Sequence, residues 1–387
     1  MTTNEELARA RAALATADCD LALLSSIANV TYVSSFEVPH AVGVSAAVTY
    51  AAPFAVVSVR DIGTWLAASV FNTAQAKRES RLDQLLSFAA FESFEATDAR
   101  GTYLEALREA LTQAGLKSVG RLGVEGRALP YGAAAFLAEH FPQVKLIEID
   151  DALESARLIK TAREIRLLRR AAHIADVGHR TLAELAQTAG RNEFEMYTEI
   201  SARMQKVAGR EIPVVGELVT GPRTTTVNYP GGPRDRVTEP GDAALMDISQ
   251  RIDGYWSDCT NTHVIGGVTP NDHQKKYARA SQAAFDAAAE MLRPGQRASE
   301  VWAAANAAYE KHGVAMPHYM GHQIGALVNE LPRLVPYDHT PIQAGMVFAV
   351  EPGAYEGPGG TFGARSEKMI LVTESGPETL SQFEWGI

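Results

Sequence analysis

Four short stretches of this 387-residue chain carry side chains that apolar segments rarely tolerate alone. In AALMDISQRIDGYWSDCTNTHVIGG, Asp247 and Asp258 sit in apolar runs on either side of Asp253-Gly254, a strong signal for a two-residue hairpin loop. With that loop, Ile252 opposes Tyr255 and Asp258 opposes Ser249, so Asp247 lies diagonal to Asp258 on one face. Such diagonal neighbours are roughly 7–8 Å apart, within reach of a shared ion. GMVFAVEPG places Glu351 at the end of an apolar strand, before a Pro-Gly turn, and ARSEKMILVTESG places Glu367 at the start of another. HYMGHQIGALVNELP adds His322 between glycines. Each has a plainer alternative: solvated hairpin aspartates, a structural histidine, or Glu367 paired with Arg365 or Lys368. Together, four carboxylates and one imidazole make a ligand set for two divalent cations bridged by carboxylates.

The elements that must position these groups divide the chain in two. Over the first part, EELARARAALATA reads as a helix, DLALLSS as a buried strand, and AVGVSAAVTYAAPFAVVSV as two strands around a turn. YLEALREALTQAG is a helix with a glycine stop, RLGVEG a strand and YGAAAFLAEHF a helix. Alternating strands and helices predict an α/β domain over residues 1–153. Long helices over about 161–188, 192–207 and 271–292 then alternate with hairpin-like strands, which predicts an α+β domain over 154–387. The length agrees with two cores. A net charge of −10 argues against nucleic acid as partner, and no run reaches the roughly 18 apolar residues of a membrane span. Two cysteines, Cys19 and Cys259, provide no disulfide framework, so a reducing cytoplasm is the expected location.

The four stretches, in this order and spacing, resemble the pita-bread metallopeptidases of family M24, the group of aminopeptidase P, prolidase and creatinase. DCDLALLSSIANVTYVSSF and RLGVEGRALPYG resemble the accessory domain of that family. The resemblance implies a C-terminal pita-bread domain behind a smaller creatinase-type α/β domain, hence α+β overall. It implies that Asp247, Asp258, His322, Glu351 and Glu367 hold two divalent metals. Carboxylate-rich ligation favours Mn, with Co, Fe or Zn as alternatives. A homodimer acting on a short peptide or small molecule is the expected assembly. The loop SSFEVPHAVG, with Phe36, Glu37 and His40, is a candidate substrate contact.

The chain departs from the family in its histidines. A histidine expected upstream of Asp247 falls on Asn228 or Pro230, and no histidine occurs between His179 and His263. The other falls on Asn329, and an arginine usual after the second aspartate is Asn261. Asparagine donates a hydrogen bond but cannot carry a proton between steps. Asn329 and Asn228 can still stabilise an oxyanion, while proton transfer falls to Glu351, which by resemblance contacts the attacking water, or to His318. The leading expectation is a dinuclear metal-dependent hydrolase of a peptide-like C–N bond, like the Xaa-Pro peptidases. The alternatives are a hydrolase of a non-peptide C–N bond in a small metabolite, creatinase- or ectoine-hydrolase-like, and a non-catalytic binding protein on the same scaffold.

Overall fold

The structure is a computed structural model that describes residues 4–39, 50, 52–60, 63–117, 119–227 and 231–387. It forms two compact units, Met1–Leu158 and Ile159–Ile387. No helix among the described residues is long and apolar enough to cross a membrane.

The first unit is built on strands β1 (Leu21–Leu24), β2 (Phe54–Ser58), β3 (Thr64–Ser69), β4 (Gln84–Phe88), β5 (Arg121–Val124) and β6 (Lys145–Glu148), ordered β4-β3-β2-β1-β5-β6. β1 runs antiparallel to β2 and parallel to β5. Its LALL segment is buried on both faces because side chains alternate along a strand. Leu21 and Leu23 join the core with Tyr103 and Leu107, whereas Ala22 and Leu24 join the opposite core with Leu7 and Leu14. Helices cover both faces, and Asn4, Ser26 and Asp98 cap three of them by accepting from backbone N–H groups of the first turn. Phe36 is fully buried in the Leu7 core. It is therefore a packing residue and not the substrate contact expected of the SSFEVPHAVG loop. Glu37 is also buried, its backbone N–H donating to Glu79. His40 lies outside the described residues, as does most of the first strand expected in AVGVSAAVTYAAPFAVVSV.

In the second unit, helices Ala162–Leu185 and Glu193–Ala208 start from capping boxes, Thr161 with Glu164 and Asn192 with Glu195. They share an apolar core with the antiparallel sheet β7-β8-β9, formed by β7 (Val214–Thr220), β8 (Ala243–Ile252) and β9 (Tyr255–Val264). Asp253 and Gly254 both have positive φ, 52° and 86°, the conformation of a tight hairpin turn, and the register opposes Ile252 to Tyr255. A second sheet has the order β11-β10-β12-β15-β16. Its members are β10 (Gly321–Gln323), β11 (Glu330–Arg333), β12 (Val347–Val350), β15 (Lys368–Thr373) and β16 (Gly376–Thr379). Between β12 and β15 the chain makes a small hairpin, β13 (Gly353–Tyr355) with β14 (Gly363–Arg365).

Candidate metal centre

Register brings the acidic residues together. Ser249 opposes Asp258 and Asp247 opposes Thr260, so all four share one face of the β8–β9 hairpin. On the other sheet Val350 opposes Lys368, which places Glu351 and Glu367 at the next position beyond that pair. His322, on β10, opposes Ala349 of β12. The two sheets meet where Glu367 N–H donates to the Thr260 carbonyl at 2.9 Å.

The donor atoms converge. His322 Nδ1–H donates to the Gln323 carbonyl at 2.9 Å, so in the neutral ring Nε2 is the nitrogen without a proton, the one a cation would take. That nitrogen lies 3.4 Å from Glu351 Oε1 and 3.6 Å from Asp258 Oδ2. One ligand atom each from Asp258, His322 and Glu367 lie within 4.8 Å of one another. Ser249 Oγ donates to Asp258 Oδ1 at 2.8 Å, and Thr260 Oγ1 donates to Glu367 Oε2 at 2.6 Å. The remaining oxygens Glu351 Oε1 and Glu367 Oε1 are buried without a hydrogen-bond partner. Buried carboxylate oxygens are costly in that state, and a bare imidazole nitrogen beside them completes a donor set that a divalent cation fits.

Asp247 is tied differently. Its Oδ2 accepts from an Arg365 guanidinium nitrogen at 2.6 Å, and the same nitrogen donates to Glu217 at 2.7 Å. Arg365 also donates to the Tyr355 hydroxyl and to Thr260 Oγ1. Burial pushes the pKa of Asp247, Glu351 and Glu367 up, and repulsion from neighbouring acids adds to it. Arg365 pulls Asp247 and Glu351 back down. Burial opposes the charged form of His322, but Asp258 and Glu351 outweigh it and raise its pKa.

The plainer pairing of Glu367 is not what forms. Arg365 turns to Asp247 and Glu217, while Lys368 Nζ donates to the Phe383 carbonyl and lies over the Phe383 and Trp385 rings. Asn261 is not at the centre either. It sits an odd number of residues from Asp258, hence on the opposite face of β9, where it donates to the Glu384 carbonyl and accepts from Gly386 N–H. Asn329 does lie near the centre, with its Nδ2 3.4 Å from the Tyr319 hydroxyl. His318 donates from Nδ1 to the Tyr319 carbonyl and turns Nε2 to the Tyr355 hydroxyl at 3.5 Å. Burial, with Arg365 nearby, lowers its pKa to about 4, so it is neutral at pH 7. Asn228 and Pro230 lie outside the described residues. Glu217, Tyr319, Tyr355 and Arg365 are site residues that sequence reasoning missed. Only Arg365 left a signal, as a cation two residues from a ligand candidate.

Residues 166–374 match the model of metallopeptidase family M24, and residues 6–159 match the creatinase/prolidase N-terminal domain. The chain belongs to metallopeptidase family M24. Among its M24 relatives, the Xaa-Pro dipeptidase of Pyrococcus furiosus is 31% identical over 272 residues, 70% of this chain and 76% of that protein. The crystal structure of the prolidase from Pyrococcus horikoshii OT3 is similar with a TM-score of 0.78 at 26% identity, covering 98% of this chain and 99% of that one. The Xaa-Pro dipeptidase from Bacillus anthracis gives 0.79 over 98% of each chain, and at 24% identity it speaks for the fold alone. The expected family, the pita-bread fold behind a creatinase-type domain, and a metal-dependent hydrolase are borne out.

Proposed function

We propose that this M24 chain is a dinuclear metal-dependent hydrolase that cleaves the amide C–N bond of a small Xaa-Pro-like substrate. The observation that carries the reading is the pair of buried, unpartnered oxygens, Glu351 Oε1 and Glu367 Oε1, around the bare Nε2 of His322. Asp247, Asp258, His322, Glu351 and Glu367 would hold the metals, with Mn favoured by the carboxylate-rich set. Bound divalent ions would polarise the substrate carbonyl and acidify water.

The chain's own groups divide the remaining work. Glu351 is the general base: its Oε1 has no partner to displace, and it takes the proton of the attacking water and returns it to the leaving nitrogen. Arg365 holds Asp247 by one oxygen and thereby orients the other. His318 is neutral and engaged with Tyr355, which leaves it as a wall of the site rather than the base. The two-domain reading confines this chemistry to residues 154–387.

A second reading, hydrolysis of a non-peptide C–N bond in a small metabolite, is favoured by Asn329, whose amide cannot shuttle a proton. Metal analysis of the purified protein, followed by Ala-Pro alongside small amides, ureas and guanidino compounds, tests both. Two bound metals with Ala-Pro turnover support the first reading. Metals with turnover of the non-peptide compounds alone support the second. No bound metal after supplementation overturns both.

A further inference from the structure

Asn329 stands where the family resemblance places a histidine, but its amide is already committed inside the chain. Arg333 Nε donates to Asn329 Oδ1 at 3.3 Å. A guanidinium only donates, so this contact decides which end of the amide is oxygen and turns Nδ2 toward Tyr319. The Tyr319 hydroxyl oxygen receives that nitrogen at 3.4 Å. Having accepted from Asn329, the phenol must send its own proton elsewhere. Burial, together with the nearby acids Glu351, Glu367 and Asp258, raises the pKa of the phenol and so keeps its proton on. The ring lies 6.2 Å from that of His322, and the residue is only partly buried.

We propose that the Tyr319 hydroxyl, aimed by Asn329 and Arg333, is the hydrogen-bond donor that meets the substrate's carbonyl oxygen at the metal centre. This rests on the hydrolase reading above. Tyr319 is then a catalytic residue, and Asn329 and Arg333 are positioning residues that act through it. In the resting chain the hydroxyl oxygen accepts from Asn329, which leaves its O–H free to turn toward the centre. As the substrate enters, the O–H donates to the carbonyl oxygen, where negative charge develops, and the proton stays on the phenol throughout. Such a donor contributes about 10²–10³-fold to kcat where it has been removed in other enzymes.

The test uses the metal-loaded full chain with Ala-Pro, and compares Tyr319→Phe, Asn329→Ala and the double variant. Tyr319→Phe should lower kcat by about 10²–10³-fold with little change in KM or bound metal. Asn329→Ala should cost less, and the double variant should be no slower than Tyr319→Phe, because Asn329 then has nothing left to aim. A Tyr319→Phe protein with wild-type kcat overturns the proposal, as does a double variant whose loss is the product of the single losses. If the wild type binds metal but leaves Ala-Pro intact, a phosphinate isostere of Ala-Pro, whose P–O⁻ copies the developing charge, reads the same donor by calorimetry. Tyr319→Phe should then weaken its Kd by about 10–100-fold, the loss of one hydrogen bond to a charged group. Equal Kd values overturn the proposal. A wild type that binds no metal overturns the hydrolase reading and this inference with it, whereas unaffected catalysis by Tyr319→Phe overturns this inference alone.

Discussion

Glu125 in the first unit and Glu367 in the second are each 1% exposed, yet the chain satisfies them to different extents. Glu125 Oε2 accepts from the Ser25 and Ser26 N–H groups at 2.5 and 3.0 Å, and Oε1 accepts from Asn29 Nδ2 at 2.6 Å. Both of its oxygens are used to fix the start of the helix Ile27–Ser34. Glu367 has one oxygen held by Thr260 and one without a partner, among other acids. A buried carboxylate with complete hydrogen bonding is part of the fold, whereas one left half satisfied beside others of its kind is a site. The difference lies in the unpaired oxygens, since burial is the same.

The largest effect should come from the oxygen proposed to accept a proton. Glu351→Gln keeps the shape and a metal-binding oxygen but removes the base, and it should lower turnover by about 10²–10⁴-fold while retaining metal. Turnover near the wild-type rate would show that another group is the base.

Next come the ligands themselves. Asp258→Ala and Glu367→Ala should each lose bound metal, measured by elemental analysis, and the first unit should stay folded by limited proteolysis. Glu125→Ala should do the reverse. It removes the acceptor for three donors, and unsatisfied buried donors cost about 1–3 kcal/mol, so denaturant unfolding of the first unit should shift while metal content does not change. Metal loss in the Glu125 variant would break the contrast between the two glutamates.

Much of this contrast could be read before the structure. The Asp253-Gly254 loop has only one sensible register, and that register put Asp247, Ser249 and Asp258 on one face. Glu351 and Glu367 stood out because apolar strands of four to six residues flank them. The same parity rule applied to Asn261 excludes it from the centre, a step the family pattern obscured. Arg365 was illegible for a different reason. Sequence proximity suggested Glu367 as its partner, but the chain leaves β14 at Arg365 and starts β15 at Lys368, so the guanidinium reaches across to β7 and β8. Tyr319 precedes β10 in irregular chain, where no periodicity assigns a side chain to a face. Phe36 was expected as a substrate contact because its loop resembles the accessory domain, although its ring completes a core.

The smallest effect sharpens the comparison through pH. Burial raises the pKa of Asp247, Glu351 and Glu367, so the metal-free fold binds more protons than the unfolded chain just above the ordinary carboxylate range. Their contribution to stability is therefore present below the unfolded values and is lost as pH rises through the raised ones. Buried His179, His263 and His318 have the opposite sign. Burial lowers them to about 3, 4 and 4, so stability is lost as pH falls below their unfolded value of 6.5. A melting curve of the metal-free chain alone mixes the two signs. Subtracting it from the metal-loaded curve cancels His179 and His263, which occupy the core in both, and isolates the groups whose protons metal would displace, the acids of the centre and His322. Each proton so displaced adds about 1.4 kcal/mol per pH unit to the stabilisation by metal. The difference in Tm should thus grow from pH 5 to pH 8 in the wild type, and grow less in Glu367→Gln. A difference that is flat across that range would mean that the acids of the centre are ionised with or without metal, and that Glu367 differs from Glu125 in hydrogen bonding alone.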